Sequence, residues 1–205
     1  MIRQLDFYFD LMSPFAYLAH QRLPGLAGRY GYTLRYWPID LPAAKRAAGN
    51  SGPPNVKIPV KLRYLKTDLD RWAQRYGVPL IFPPSLDSTL LNKAVFFAID
   101  RDAAEVFVRH AWHAVWGEGS DMSDPALLRT LALALGWDAG EVLDFVYSPE
   151  GQARYDASNR GAQERGVFGT PTMMIGDDMW WGNDRLDFLE AFLTGKARQR
   201  HEQTA

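Results

Sequence analysis

The fold is decided by the stretch Leu5-Asp6-Phe7-Tyr8-Phe9-Asp10-Leu11-Met12-Ser13-Pro14-Phe15-Ala16-Tyr17-Leu18-Ala19, which predicts a short apolar strand running directly into a helix. Ser is favoured just before a helix and Pro at its first position, so Ser13 and Pro14 mark the start of the helix. The first N–H groups of a helix attract an anion, such as a thiolate. Ser13 therefore either caps its helix only or also holds an anionic ligand.

A second informative stretch lies near the other end of the chain, in Gly169-Thr170-Pro171-Thr172-Met173-Met174-Ile175-Gly176-Asp177-Asp178-Met179-Trp180-Trp181-Gly182-Asn183-Asp184. Its two apolar runs, separated by Gly-Asp-Asp, predict a β-hairpin that leads into a helix beginning at Asn183. A proline at the start of a strand is a position where a cis peptide bond is possible, although trans bonds are more common.

The chain contains no cysteine. Disulfide exchange proceeds by attack of a thiolate on a disulfide, so the chain cannot carry out that chemistry alone. Any thiol in its chemistry must arrive as a ligand.

Composition excludes other classes of partner. With 205 residues, 47% of them hydrophobic, the chain can bury a substantial core. A net charge of −1 argues against binding nucleic acid or a membrane surface through bulk charge. No segment reaches the about 18 apolar residues of a membrane span, and no signal-peptide pattern opens the chain. We therefore expect a cytoplasmic protein.

The middle of the chain predicts helices. Leu65, Leu69, Trp72 and Tyr76 recur at helical spacing with charged residues on the other faces. Further helical patterns cover about 89–116, 125–135, 140–147 and 149–165. By contrast, 47–59 contains too many Gly, Pro and Asn residues for a helix, and is either a solvated linker or one wall of a cleft.

Both ends of the chain resemble one family, the kappa-class glutathione transferases, and within it the 2-hydroxychromene-2-carboxylate isomerases. The resemblance covers nearly the whole chain, and its strings are specific in combination. They are Asp10-Leu11-Met12-Ser13-Pro14-Phe15-Ala16-Tyr17-Leu18, Gly49-Asn50, Tyr64-Leu65-Lys66-Thr67-Asp68-Leu69-Asp70-Arg71-Trp72-Ala73, Gly166-Val167-Phe168-Gly169-Thr170-Pro171-Thr172 and Trp181-Gly182-Asn183-Asp184-Arg185-Leu186.

The resemblance implies an α/β fold of the DsbA or kappa type, with a thioredoxin-like domain (1–60 and 165–205) interrupted by an all-helical insertion (61–164). It also implies a cis Thr170-Pro171 bond and a homodimer. Redox relatives begin the first helix with Cys-X-X-Cys, but the matching positions here are Ser13 and Ala16. The fold is thus expected without the redox chemistry.

Glutathione is the cofactor that the resemblance implies. A free thiol has a pKa of about 8.5, so the hydroxyl of Ser13 would act as the catalytic group by stabilising the thiolate. The implied glutathione-binding residues are Ser13, Phe15, Asn50, Thr170, Pro171, Asn183 and Asp184. Thr170 would offer backbone groups to the cysteinyl unit, and Asn183 and Asp184 would bind the γ-glutamyl end. Helix capping is the simpler role for those last two.

The second substrate implied is a small aromatic carboxylate. Its binding residues are expected among Lys45, Asn55, Lys57, Arg63 and Trp181, with Lys45 preferred for the carboxylate, although surface lysines are usually only solvated. Trp37 and Phe82 could add apolar walls, but aromatic side chains more often belong to the core. His110 and His113 lack further metal-ligating neighbours, so no metal site is expected.

The reaction implied is the glutathione-dependent interconversion of 2-hydroxychromene-2-carboxylate and trans-o-hydroxybenzylidenepyruvate, a step of naphthalene-type aromatic catabolism. Addition of a thiolate to the conjugated alkene would permit rotation about the former double bond. Two alternatives remain open: a kappa-class transferase that releases a conjugate, and a non-catalytic thioredoxin-like binding module, which the absence of cysteine would suit.

Overall fold

The computed structural model describes residues 3–195, apart from the side chain of Val56. Strand β1 (Arg3–Phe9) is buried over its last five residues, as its apolar sequence predicts. It leads into helices α1 (Pro14–His20) and α2 (Leu23–Arg29) and then into strand β2 (Tyr32–Pro38), which pairs with β1 in parallel. This strand–helix–strand unit places the start of α1 beside the carboxyl end of β1.

The hairpin predicted near the other end completes the sheet. Strands β3 (Thr172–Ile175) and β4 (Asp178–Trp181) are antiparallel, and β3 also pairs antiparallel with β1 through the Phe7–Met173 register. The strand order in this four-stranded mixed sheet is β2-β1-β3-β4. Pairing of β3 with β1 brings Thr170 and Pro171, just before β3, to the start of α1.

Helices occupy most of the chain between the two halves of the sheet. They are α3 (Leu41–Ala47), α4 (Pro59–Tyr76), α5 (Thr89–Ile99), α6 (Ala104–Trp112), α7 (Pro125–Ala134), α8 (Ala139–Tyr147) and α9 (Pro149–Glu164). A final helix, α10 (Leu186–Leu193), follows β4. The segment predicted as helical over 89–116 is two helices, α5 and α6, followed by a π-helical turn at His113–Gly117.

Local sequence explains where these helices begin. Prolines occupy the first or second position of α1, α2, α3, α4, α7 and α9, where the missing N–H costs nothing. Side-chain oxygens of Asp40, Asp124, Asp138 and Ser148 accept hydrogen bonds from the first turns that follow them. The segment 48–58 holds one 3₁₀ turn, Asn55–Lys57, in agreement with its many helix-breaking residues.

One hydrophobic cluster joins the sheet to the helices. It contains Phe7 and Phe9 of β1, and Trp112 and Trp116 of the α6 region, which are all at most 1% exposed. The rings of Phe9 and Trp112 lie 5.2 Å apart. The core is therefore continuous between the thioredoxin-like part and the helices, and the predicted division at 61–164 stays a prediction. Within residues 3–195, no helix combines the length and the apolar character needed to cross a bilayer.

Candidate active site

Ser13 caps helix α1 as the sequence predicts. Its Oγ accepts a hydrogen bond from the backbone N–H of Ala16 at 3.2 Å, and Pro14 is the first residue of the helix. The Ser13 residue is only 4% exposed. Its hydroxyl oxygen is therefore fixed at the helix start, while the hydroxyl hydrogen can still rotate toward an acceptor.

Thr170 faces Ser13 from the other half of the chain. The Thr170 carbonyl oxygen lies 3.5 Å from Ser13 Oγ, at the outer limit of a hydrogen bond, and the Thr170-Pro171 peptide bond is cis, as expected. Because this contact is long, a better acceptor in the same place would replace it at little cost. The structure thus brings together Ser13 and Thr170, which are 157 residues apart.

A cleft of about 390 Å³ opens beside this pair, between α4 and the segment around the hairpin. Its walls include six of the predicted site residues: Phe15, Thr170, Pro171, Trp181, Asn183 and Asp184. Ser13 is not part of the lining, but it is next to Thr170, which is. Trp181 is 50% exposed and contacts Phe168 with ring centroids 4.9 Å apart, so it forms an apolar edge of the cleft.

Two buried polar atoms belong to residues of this lining. Thr170 Oγ1 and Asn183 Nδ2 have no hydrogen-bond partner within the part of the chain that the structure describes. Buried polar groups are normally paired, so these two atoms suit a polar ligand. Tyr76, in the last turn of α4, donates its hydroxyl hydrogen to Asn183 Oδ1 at 3.1 Å, which leaves the amide nitrogen free for such a ligand.

The prediction that Asn183 begins the last helix is wrong by one turn. Gly182 has φ of 110°, and the following Asn183–Arg185 segment is a 3₁₀ turn, so α10 begins only at Leu186. The reason is local: the backbone N–H of Arg185 bonds the Gly182 carbonyl at 3.3 Å, which tightens the chain before the α-helix starts. Asp184 is exposed and forms an ion pair with Arg185.

The other predicted residues do not line the cleft. Asn50, Asn55, Lys57 and Arg63 are exposed on the segment that joins α3 to α4 and on α4 itself. Within this group, Asn55 Oδ1 accepts a bond from Lys61 at 3.5 Å. The structure therefore leaves the binding roles of these four residues as predictions.

Lys45 is half-buried in the last turn of α3. Burial lowers its pKa from the usual lysine range, because the charged ammonium is partly removed from water. None of the ion pairs within the described residues includes Lys45. A half-buried ammonium without a carboxylate partner is suited to bind an anion.

Trp37, named as a possible apolar wall, is not part of the lining of this cleft. Its indole N–H donates to Asp6 at 2.9 Å and its ring stacks on Tyr8, and the residue lines a separate cavity of about 650 Å³ between β2 and α9. The alternation of side chains along β2 shows which residues share a face of the sheet, but not whether that face meets a ligand or other side chains. Phe82 is 39% exposed and packs edge-on against Trp116, outside the cleft lining.

Sequence reasoning missed one wall of the cleft. Tyr64, Asp68 and Trp72 are four residues apart along α4 and line the cleft together. The stripe used to predict α4, which is Leu65, Leu69, Trp72 and Tyr76, shares Trp72 with this wall but leaves out Tyr64 and Asp68. The spacing of 64, 68 and 72 was the available signal for a second, partly exposed stripe.

Comparison with known proteins identifies the family. The family model of the DSBA-like thioredoxin domain matches residues 4–194. A 2-hydroxychromene-2-carboxylate isomerase of Sphingobium xenophagum is 48% identical over 94% of this chain and 99% of that protein. The chain belongs to the DSBA-like thioredoxin family and, within it, to the 2-hydroxychromene-2-carboxylate isomerases.

A solved structure of a 2-hydroxychromene-2-carboxylate isomerase supports this membership. It is 46% identical, superposes with a TM-score of 0.91 and covers 98% of this chain and 100% of its own. The human glutathione S-transferase kappa 1 is a more distant relative, 23% identical over 95% of this chain and 92% of its own. The predicted family and the α/β thioredoxin-like fold with inserted helices are confirmed.

Proposed function

We propose that this protein is a glutathione-dependent isomerase that interconverts 2-hydroxychromene-2-carboxylate and trans-o-hydroxybenzylidenepyruvate in aromatic catabolism. The observation that carries the proposal is the Ser13–Thr170 pair at the cleft, in a chain that has no cysteine and matches isomerases over nearly its full length. In this proposal the Ser13 hydroxyl would hold a thiolate, and because the chain has no cysteine that thiolate would come from outside the chain.

Features of the cleft support glutathione as the source of the thiol. Thr170 and Asn183 each have one unpaired buried polar atom, which suits a ligand rich in amide and carboxylate groups. Asp184 and Arg185 add charges of both signs at the rim, and glutathione carries both signs. These residues, with Phe15 and Pro171, would hold the tripeptide. When bound, glutathione supplies a thiolate that can add reversibly to a conjugated alkene.

The chain itself contributes orientation and electrostatics. Ser13 would donate a hydrogen bond to the thiolate, aided by the positive end of α1, and so keep it ionised near neutral pH. The Thr170 carbonyl would align the thiol-bearing unit through strand-like backbone pairing. Holding both reactants in reactive geometry then accounts for much of the rate enhancement.

Substrate recognition is proposed for Lys45 and Trp181. Lys45 would bind the carboxylate, because it is a half-buried cation without an ion-pair partner in the described residues, and Trp181 would pack on the aromatic ring. Asn55, Lys57 and Arg63 are further candidates on the adjoining segment, and Asn50 is proposed to contact glutathione. A cytoplasmic location and a homodimer complete the proposal, and sedimentation velocity tests the dimer.

The decisive experiment follows the ultraviolet spectrum of 2-hydroxychromene-2-carboxylate with purified protein, in the presence and absence of glutathione. We expect the isomer to form only when the protein and glutathione are both present, and the glutathione concentration to be unchanged at the end of the reaction. Accumulation of a conjugate would instead indicate a transferase. Isothermal calorimetry that detects no glutathione binding would favour a non-catalytic module, and equal turnover without the thiol would contradict the proposed mechanism.

A further inference from the structure

The carboxylate of Asp10 lies in the core, at the end of β1 and three residues before Ser13. The residue is 1% exposed. Its Oδ1 accepts hydrogen bonds from the Ser88 hydroxyl, from Asn92 Nδ2 at 2.9 Å and from the Met12 backbone N–H at 3.1 Å. Its Oδ2 accepts from the Leu41 backbone N–H at 2.9 Å. Four donors from three separate parts of the chain therefore converge on one side chain.

The same cluster holds every backbone N–H of the turn that leads to Ser13. Asn92 Oδ1 accepts from the Leu11 N–H at 3.1 Å, Asp10 holds the Met12 N–H, and the Asp10 carbonyl accepts from the Ser13 N–H at 2.9 Å. Trp116 also donates its indole N–H to the Leu11 carbonyl at 2.9 Å. Movement of the turn would leave several buried polar groups unpaired, which is costly.

The carboxylate also fixes the position of α3. Leu41, whose N–H bonds Asp10 Oδ2, is the first residue of that helix, and Lys45 lies one turn further along it. Asp10 thus connects the turn before α1, where Ser13 is proposed to stabilise the thiolate, to helix α3, where Lys45 is proposed to bind the substrate carboxylate.

Stability alone does not account for this arrangement. None of the ion pairs within residues 3–195 includes Asp10. Burial raises the pKa of its carboxyl, although hydrogen bonds from Ser88, Leu41, Asn92 and Met12 oppose this. A buried carboxylate without a cation is expensive, and an apolar residue would fill the space at lower cost. A site that demands accurate placement of nearby groups is where such a network is expected.

We propose that Asp10, together with Ser88 and Asn92, is a positioning group that fixes the Ser13 hydroxyl and the start of α3 in one arrangement. The proposal rests on the proposed function, because it takes Ser13 as the group that stabilises bound thiolate. None of the three side chains lines the cleft, so they act through the backbone and do not touch the ligand.

The test compares Ser88→Ala with Ser158→Ala. Both serines are 5% exposed and each donates one hydrogen bond, although Ser88 Oγ also accepts one from Asn92 Nδ2 at 3.1 Å. Ser158 donates to the Pro38 carbonyl at 2.8 Å, away from the turn before Ser13. Ser88 makes no side-chain cap hydrogen bond to α5, so its loss should leave that helix intact. Asn92→Ala is the second variant, and it removes the bond to the Leu11 N–H directly.

Three readouts separate positioning from stability: the melting temperature, the isomerase kcat and KM, and the ultraviolet absorbance of thiolate in the glutathione complex at neutral pH. For Ser88→Ala and Asn92→Ala we expect kcat to fall about tenfold to a hundredfold, with less bound thiolate, because small misplacements of a reacting group cost that much. Ser158→Ala should lower the melting temperature comparably and leave kcat and bound thiolate unchanged.

The outcomes distinguish the two proposals. If Ser88→Ala and Asn92→Ala lose stability but keep the kcat and bound thiolate of the unmodified protein, the positioning role is wrong and the isomerase proposal is unaffected. If the unmodified protein shows no thiolate absorbance and no glutathione-dependent turnover, the proposed function itself fails. Restoration of kcat and thiolate absorbance by Ser88→Thr, which returns a hydroxyl, would further support positioning.

Discussion

The hydroxyl of Tyr76 donates a hydrogen bond to Asn183 Oδ1 across 3.1 Å, and this bond joins the last turn of α4 to the turn that precedes α10. The two residues are 107 positions apart. Because Asn183 lines the cleft and its amide nitrogen has no partner among the described residues, the tyrosine determines which way that amide faces.

Tyr76→Phe should therefore weaken glutathione binding. We expect the dissociation constant measured by calorimetry to rise about three- to tenfold, the equivalent of one lost hydrogen bond of ordinary strength. Tyr30→Phe is the matched control. Tyr30 donates a similar hydrogen bond of 3.2 Å to Glu190, and neither residue lines the cleft. Equal affinities in the two variants would contradict the orienting role of Tyr76.

Ser13→Ala should separate catalysis from helix capping. Loss of the cap costs about 1 kcal/mol of stability, whereas loss of the hydrogen bond to the thiolate should lower kcat about a hundredfold. Ser148→Ala controls for the first effect, because Ser148 caps α9 with a comparable bond of 3.1 Å to the Gly151 N–H. If both variants kept full activity, Ser13 would be only a helix cap.

Gly169→Ala should disturb the substrate side of the cleft. A Cβ at Gly169 would lie 2.5 Å from Trp181 Nε1, so the half-exposed indole must move. We expect KM for the aromatic substrate to rise about tenfold with little loss of stability, as the ring is displaced from its position at the cleft edge. Gly161→Ala, on α9, should leave KM unchanged, because beyond the adjoining helix backbone no atom of the described residues lies within 4 Å of the added carbon.

The parts of this site that sequence predicts are those set by local chemistry. Ser13 and Pro14 specify a helix start through neighbouring atoms, and the two runs around Gly176 specify a hairpin in the same way. The Thr170-Pro171 segment was matched through its resemblance to relatives. For the helix start and the hairpin, a few adjacent residues determine the structure, whereas the cis bond before Pro171 was expected from the resemblance and not from local chemistry.

Other parts depend on contacts between distant residues. Asp10 has partners at Ser88 and Asn92, which are 78 and 82 residues away, and no local pattern brings these three together. The indole N–H of Trp37 bonds Asp6, and the strand pattern alone does not say whether that side chain meets a ligand or the protein. Packing between distant elements determines both the partners of Asp10 and the surroundings of Trp37.

Lys45→Gln should raise KM for the anionic substrate and change kcat little. Loss of a charge-assisted hydrogen bond should raise KM about tenfold or more. If Lys45 is the main partner of the carboxylate, Lys57→Gln and Arg63→Gln should raise KM less. Arg46→Gln is the control, since Arg46 is the exposed neighbour on the same helix. A larger effect at Lys57 or Arg63 would transfer the carboxylate-binding role to that residue.

The pH dependence of KM offers an independent check of Lys45. Because burial lowers its pKa, the ammonium should lose its proton, and KM should rise, at a lower pH than for an ordinary lysine. This alkaline rise should be absent in Lys45→Gln. Its persistence in that variant would show that another group binds the substrate carboxylate.

His20 should make the fold sensitive to acid. Burial, with a smaller contribution from the charge of Arg109, lowers the pKa of His20 to about 3, and its Nε2 lies 3.0 Å from the Tyr36 hydroxyl. The unfolded chain binds the proton at a pKa of about 6.5. Stability from the neutral imidazole is therefore complete above that pH and is lost progressively as the pH falls from about 6.5 toward 3.

The measurement is urea unfolding at several pH values, on the unmodified protein and on the double variant His20→Phe/Tyr36→Phe. Replacing both partners leaves no buried polar group unpaired, and the apolar surroundings of His20, between Phe7 and Trp112, suit a phenyl ring. Between pH 6.5 and about pH 4.5 the unmodified protein should lose about 2 to 3 kcal/mol more than the variant. Parallel curves would mean that His20 takes up its proton in the folded state as readily as in the unfolded chain.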